Sequence, residues 1–174
     1  MIGQLGDNAL AATGFASFLF WSSFAATSGI AGGIQTITAR RLGENKPTEC
    51  GIPLNAGILT VIIYSVCLCV AMMIAVPHIL SLFSSDPNVI QLSLDYYIWR
   101  LPGVLAIGIA LCFRGFWNGI KQPNTYTIIL IATHILNIGL NWVLIFGKLG
   151  CPALGVKGAA IGSTLSLYVG MVLY

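Results

Sequence analysis

The stretch Thr127–Gly147, TIILIATHILNIGLNWVLIFG, decides how the rest of the chain reads. It is long and apolar enough to cross a bilayer, which takes about 20 residues, yet it carries Thr127, His134, Asn137 and Asn141. At about 100° per residue these four side chains share a narrow arc of one helical face. In hydrocarbon an unsatisfied polar group costs several kcal/mol, so the stripe must turn toward other helices or toward a wet cavity. A membrane helix with a polar inner face is what a path for a solute or ion requires.

Composition points the same way. Of 174 residues, 57% are hydrophobic and 7% charged, and the mean hydropathy is +0.89. Soluble domains carry about 25% charged residues, so the chain reads as an all-α integral membrane protein. A net charge of +3, spread along the chain, excludes a nucleic-acid surface. The 20 glycines favour close helix packing. Cys50, Cys67, Cys69, Cys112 and Cys151 form no metal-ligand or disulfide pattern. Cys67 and Cys69 point about 200° apart on a helix, as small buried residues can. No metal and no bound cofactor is expected.

Five apolar segments can be marked. The first, about Ala9 to Ala39, is rich in small and hydroxyl residues. Its Gly29 and Gly33 form a G-x-x-x-G pair that predicts close approach of another helix. Gln35, near its inner end, reads either as an interhelical hydrogen-bonding group or as part of a solute path. The second, about Asn55 to Phe83, is uniformly apolar scaffold. Asp86 and Pro87 then suit a helix cap and a first helical turn. The third segment, about Val89 to Ile120, contains LDYYIWRLPG, and Pro102 with Gly103 predicts a kink. Arg100 lies about 20 Å along that helix from Pro87. A charge at that depth is paired or solvated from inside a bundle, unless the helix projects beyond the membrane and leaves both Asp95 and Arg100 interfacial. Tyr96 sits one turn from Arg100 on the same face. Asp95 is five positions away and poorly aligned to pair with it. After the fourth segment, which is the opening stretch, the fifth runs from about Ala159 to Tyr174. There Gly158, Gly162, Ser166 and Gly170 repeat every four residues as a packing edge.

Basic residues fall in the loops after the first and third segments and are absent from the loop after the second, while Lys148 and Lys157 after the fourth weaken the contrast without reversing it. The positive-inside rule then predicts an outside N-terminus and an inside C-terminus. The abrupt start and the stop within a helix read as a fragment or truncated form of something longer.

Several runs together resemble the multidrug and toxic compound extrusion (MATE) transporters. They are the opening I-G-Q-L-G-x-x-x-L-A-A, A-R-R-L-G-E after the first segment, and Tyr-Tyr-Ile-Trp-Arg before Pro102. Arg114-Gly115 with Pro123, N-x-x-L-N-x-x-L-I-F-G at 137 to 147 and A-L-G-V-K-G-A-A at 153 to 160 complete them. The likeness follows the family's order over nearly the whole chain, and the N-x-x-L-N run is its most distinctive part. It implies the second to sixth helices of a twelve-helix transporter, an incomplete six-helix N-lobe without the first helix and the C-lobe. It further implies efflux of small, often cationic, organic substrates against a gradient of Na+ or H+, in the plasma (inner) membrane, with the missing C-lobe or a partner chain. Carried onto this sequence, the family's cavity residues correspond to Asn137, Asn141 and Tyr96. Because Asn141 stands where some members have an aspartate, direct protonation is not expected there.

Other readings make different demands. A lipid-linked glycan flippase of the same superfamily needs clustered basic residues for a pyrophosphate, and Arg100 is the candidate. An intramembrane enzyme using His134 with Asp95 or a cysteine lacks any supporting motif. A non-transporting membrane assembly component would pair its helices through Gly29 and Gly33 or through Gly158 and Gly162.

Overall fold

The computed structural model describes residues 1–174, the side chain of Ala26 excepted. It contains six α-helices: α1 (Asp7–Gly43), α2 (Gly51–Phe83), α3 (Pro87–Arg100), α4 (Gly103–Gly119), α5 (Pro123–Phe146) and α6 (Gly155–Leu173). Short 3-10 turns at Ile2–Leu5 and Pro47–Glu49 precede α1 and α2. Four helices are long and apolar enough to span, and the bent pair α3 and α4 passes the same test when taken together. The fold is thus an all-α membrane bundle of up to five spans. With 37 residues α1 is about 55 Å long, well beyond the roughly 30 Å hydrocarbon layer, so it carries its charged end out of the lipid. There Arg40 Nε donates to Glu44 Oε1 at 2.8 Å, and Arg41 pairs with Glu49 across the turn. The Arg40 guanidinium holds the Glu44 carboxyl below the usual carboxylate range.

The third apolar segment is two helices, bent by 48° across Leu101 and Pro102. Proline supplies no N–H to the carbonyl four residues earlier, and at membrane depth freed carbonyls need other donors. Around the break, backbone N–H groups of Val104 and Leu105 reach the Leu101 and Pro102 carbonyls, and neighbouring side chains add further donors. Thr164 Oγ1 of α6 donates to the Trp99 carbonyl at 2.9 Å and the Tyr168 hydroxyl to the Pro102 carbonyl at 3.1 Å, while the Cys69 thiol of α2 lies 3.8 Å from the Leu101 carbonyl. The break is stabilised from two sides by helices remote in sequence. At the start of α3, Asp86 Oδ1 accepts from the Asn88 N–H at 2.8 Å, with Pro87 in the first turn.

The core runs along one face of α1, where Ala12, Ala16, Phe20, Ser23, Thr27, Ala31, Ile34 and Thr38 recur at helical spacing and are buried. Against it lie α3 and α4. Contact is close because α4 presents glycine: a side chain at Gly115 would strike the Ala31 carbonyl, and one at Gly119 would come within 2.7 Å of Thr38 Cβ. Several buried polar groups in the core find partners, as burial demands, although Ser65 Oγ has none among the described residues. The Ser23 and Tyr97 hydroxyls are 2.9 Å apart, and the Tyr64 hydroxyl donates to the Ser23 carbonyl at 2.7 Å.

Gly29 and Gly33 do not make the helix contact expected of them. An added Cβ at either meets nothing within 4 Å. The buried face of α1 is set by Thr27, Ala31 and Ile34, and these two glycines point off it. The edge on α6 is different: Gly158 lies against the backbone of Leu144, and a Cβ at Gly162 would approach Asn141 Oδ1 at 2.6 Å. That contact holds α5 chiefly on α6. Ile128, Ile131, Ile135 and Ile138 are left exposed on the far side of α5, as a lipid-facing stripe would be. Gly147 ends α5 at φ 67°, a left-handed conformation that favours glycine.

Candidate functional site

A cavity of about 430 Å3 lies where α1, α4, α5 and α6 face one another. Its wall on α4 follows from helical periodicity: Ile107, Ala110, Leu111 and Arg114 share one face, which continues across the bend to Arg100 at the end of α3. From α1 come Trp21, Phe24 and Ser28, and from α5 Tyr126, Leu130, Thr133 and His134. The surface is mostly apolar and aromatic, with a few polar groups converging on it, as small-molecule sites usually are.

Arg100 dominates the electrostatics. Its guanidinium carbon lies 4.3 Å from the centre of the Phe20 ring, a cation-π arrangement that offsets part of the cost of removing the charge from water. Its Nη1 is buried with no hydrogen-bond partner among the described residues. Asp95 does not reach it. It pairs instead with Lys157 of α6 at 3.1 Å and accepts from Gln91 Nε2 at 3.3 Å.

Of the residues picked out in the sequence, the structure brings Arg100 and His134 to this cavity. Asn137 and Asn141, assigned to a cavity by the family resemblance, point instead into the contact with α6. Asn137 Nδ2 donates to both Ser163 Oγ and Ser166 Oγ at 3.1 Å, and Asn141 Nδ2 donates to Asn137 Oδ1 at 3.1 Å. The physical reason is the small-residue edge of α6: its glycines bring the helices close and its serines offer acceptors. Asn141 Oδ1 remains buried without a partner. Tyr96 is 7% exposed and packed in the core with Val104 and Leu101, outside the cavity wall. Thr127 bonds its hydroxyl back to the Pro123 carbonyl at 3.0 Å, and Gln35 is exposed on α1; neither lines the cavity. The stripe is therefore divided, with the amides on α6 and the imidazole at the cavity. Thr133, Trp21 and Arg114 were not foreseen as lining residues. For Arg114 a signal existed, since it lies fourteen positions after Arg100, close to four helical turns.

The MatE family model matches residues 1–143. The chain belongs to the MatE family. Among related proteins, "Probable multidrug resistance protein NorM" of Rhizobium meliloti is 29% identical over 163 residues, covering 94% of this chain and 35% of its own length. The protein of the same name from Oceanobacillus iheyensis is 28% identical, covering 97% and 38%. This MatE chain thus spans a little over a third of the length of the curated relatives it matches. Among solved structures, a MATE family transporter of the MOP superfamily in an inward-facing conformation superposes with TM-score 0.90 at 24% identity, over 99% of this chain and 38% of that one. The outward-facing form gives TM-score 0.89 at 24% identity, over 98% and 37%. The same bundle thus matches both conformations.

Proposed function

We propose that this MatE chain supplies most of the N-lobe of a secondary transporter that exports small amphipathic organic molecules, with transport driven by an inward gradient of Na+ or H+. The observation that carries the reading is the cavity itself: apolar and aromatic walls with a few polar groups, enclosed by helices that pack as one bundle. Such a wall suits chemically varied solutes, because dispersion and burial do not impose one bonding geometry. The matching of one bundle to inward-facing and outward-facing transporters supports motion of this lobe as a unit against a second one. A C-lobe or partner chain then completes the enclosure, in a plasma membrane with the N-terminus outside.

The test is to fill the cavity in the complete transporter. Ala110 lies on its α4 wall, and Ala110→Trp should abolish efflux of a fluorescent substrate while leaving membrane expression unchanged. Collapsing the Na+ and the H+ gradient separately identifies the coupling ion. Wild-type efflux in Ala110→Trp would remove this cavity from the transport path.

A further inference from the structure

We propose that Arg100 is a positioning residue: through Phe20 it sets the aromatic wall of the cavity, and that wall favours substrates carrying a flat aromatic ring. The proposal rests on the reading of this cavity as the substrate site and names the feature that decides which substrates it prefers. It assigns Arg100 no contact with the substrate.

The guanidinium is committed to the protein. Arg100 is the last residue of α3, at the 48° bend, and its Cζ stands 4.3 Å from the centre of the Phe20 ring. Tyr96, one turn earlier, lies beside it. A Cβ built at Gly103 would come 3.7 Å from Arg100 Nη1, 3.5 Å from Thr164 Oγ1 and 3.3 Å from Leu167 Cδ1. This end of the side chain is therefore packed between the start of α4 and the middle of α6. Nη1 is buried, so what it meets is protein.

From Phe20 the contacts run to the cavity. Phe20 is 2% exposed and lies behind the wall. One turn on is Phe24, a wall residue, and the two rings meet edge to face at 5.6 Å. Phe24 in turn lies against Trp21 at 4.8 Å. Residues three and four apart share a helix face, so the three rings form one row on α1. Its buried end is Phe20 and its open end Trp21, 63% exposed. Aromatic pairs prefer particular offsets and tilts, so a ring fixed at one end of the row restricts the next. The cation that fixes Phe20 is supplied by the bend of another helix. Without it Phe20 stays buried but loses the contact that selects its tilt, and Phe24 and Trp21 gain alternative rotamers. A flat ring binding there would then have to order the wall, an entropy cost that a pre-ordered wall avoids. A flexible aliphatic substrate, bound by burial alone, gains little from ring orientation.

Efflux kinetics of the complete transporter test this with two cations of equal charge, ethidium, which is flat and aromatic, and tetraethylammonium, which is aliphatic. Arg100→Met keeps the side-chain length and removes the charge. It should raise the ethidium KM relative to the tetraethylammonium KM about three- to tenfold, the range an aromatic pair is worth, with ethidium kcat moving little. Phe20→Leu should give the same shift, and the double variant no more than either alone, because both act on one contact. Arg100→Lys, which keeps a cation over the ring, should restore most of the preference for ethidium. The purified 174-residue chain in phosphatidylcholine nanodiscs, carrying Trp99→Phe, Trp117→Phe and Trp142→Phe, reports on the wall directly. There the fluorescence anisotropy of Trp21 should decay faster in Arg100→Met and in Phe20→Leu than in the parent. Circular dichroism confirms that each variant is folded.

Additive KM shifts for Arg100→Met and Phe20→Leu would mean that Arg100 acts on the substrate itself, and would overturn the proposal. A tetraethylammonium KM that rises in step with that of ethidium would do the same, as would unchanged Trp21 anisotropy in Arg100→Met. The anisotropy readout needs no transport, so its failure is separable from that of the export reading. Faster Trp21 motion in Arg100→Met with efflux indifferent to Ala110→Trp would keep Arg100 as the residue that orders the wall and reject the export reading.

Discussion

Replacing Gly158 by alanine should loosen the α5–α6 contact, whereas the same change at Gly33 should stabilise the chain. At Gly158 the new methyl would collide with the Leu144 carbonyl, coming to 2.7 Å from its carbon and 3.0 Å from the Ile145 nitrogen. All of these are backbone atoms, so no rotamer change relieves the clash and the helices must separate. Overpacking of this kind costs about 1–3 kcal/mol. Separation also stretches the two bonds from Asn137 to Ser163 and Ser166, now 3.1 Å each. Interhelical hydrogen bonds in membranes average about 0.6 kcal/mol, so the total loss is about 2–4 kcal/mol. At Gly33 nothing lies within 4 Å, and relief of glycine's backbone freedom should stabilise α1 by about 0.5–1 kcal/mol. Reversible unfolding of the purified chain in mixed micelles, followed by circular dichroism, measures both. An unchanged midpoint for Gly158→Ala, or a loss at Gly33→Ala equal to that at Gly158→Ala, would refute the packing argument.

Two further outcomes are expected. Asn137→Leu removes both donations to α6 and the acceptor of the Asn141 amide, and should cost about 1–2 kcal/mol in the same unfolding assay. Double-mutant cycles with Ser166→Ala should show coupling between the two positions. Thr164→Val deletes the hydroxyl that serves the Trp99 carbonyl at the α3–α4 break, and should cost about 1 kcal/mol, with faster amide exchange around Leu101–Leu105. Unchanged exchange there would mean that Thr164 does not support the bend.

Much of the bundle was legible from residue patterns. The spans, the cap at Asp86 and the break at Pro102 all depend on local chemistry: run length, a side-chain acceptor, a missing N–H. The site was only partly legible. Arg100 stood out because a charge within an apolar segment is costly wherever it lies, and His134 because it interrupts a spanning run. Gly29 and Gly33 misled because a spacing motif records that close approach is possible, while the neighbouring residues of α1 decide which face is used.

By itself the sequence determined that this chain is a membrane bundle with polar groups inside its spans, since twenty-residue apolar runs have few other stable states and buried polar groups must find partners. Tertiary structure decided which partners those were. The small-residue edge of α6 drew Asn137 and Asn141 into a helix contact, Lys157 engaged Asp95, and Arg100 was left against Phe20 at the edge of an open cavity. Helical periodicity assigns a residue to a face of its own helix. Which neighbour that face meets, and whether space remains between them, depends on the packing of all six helices together.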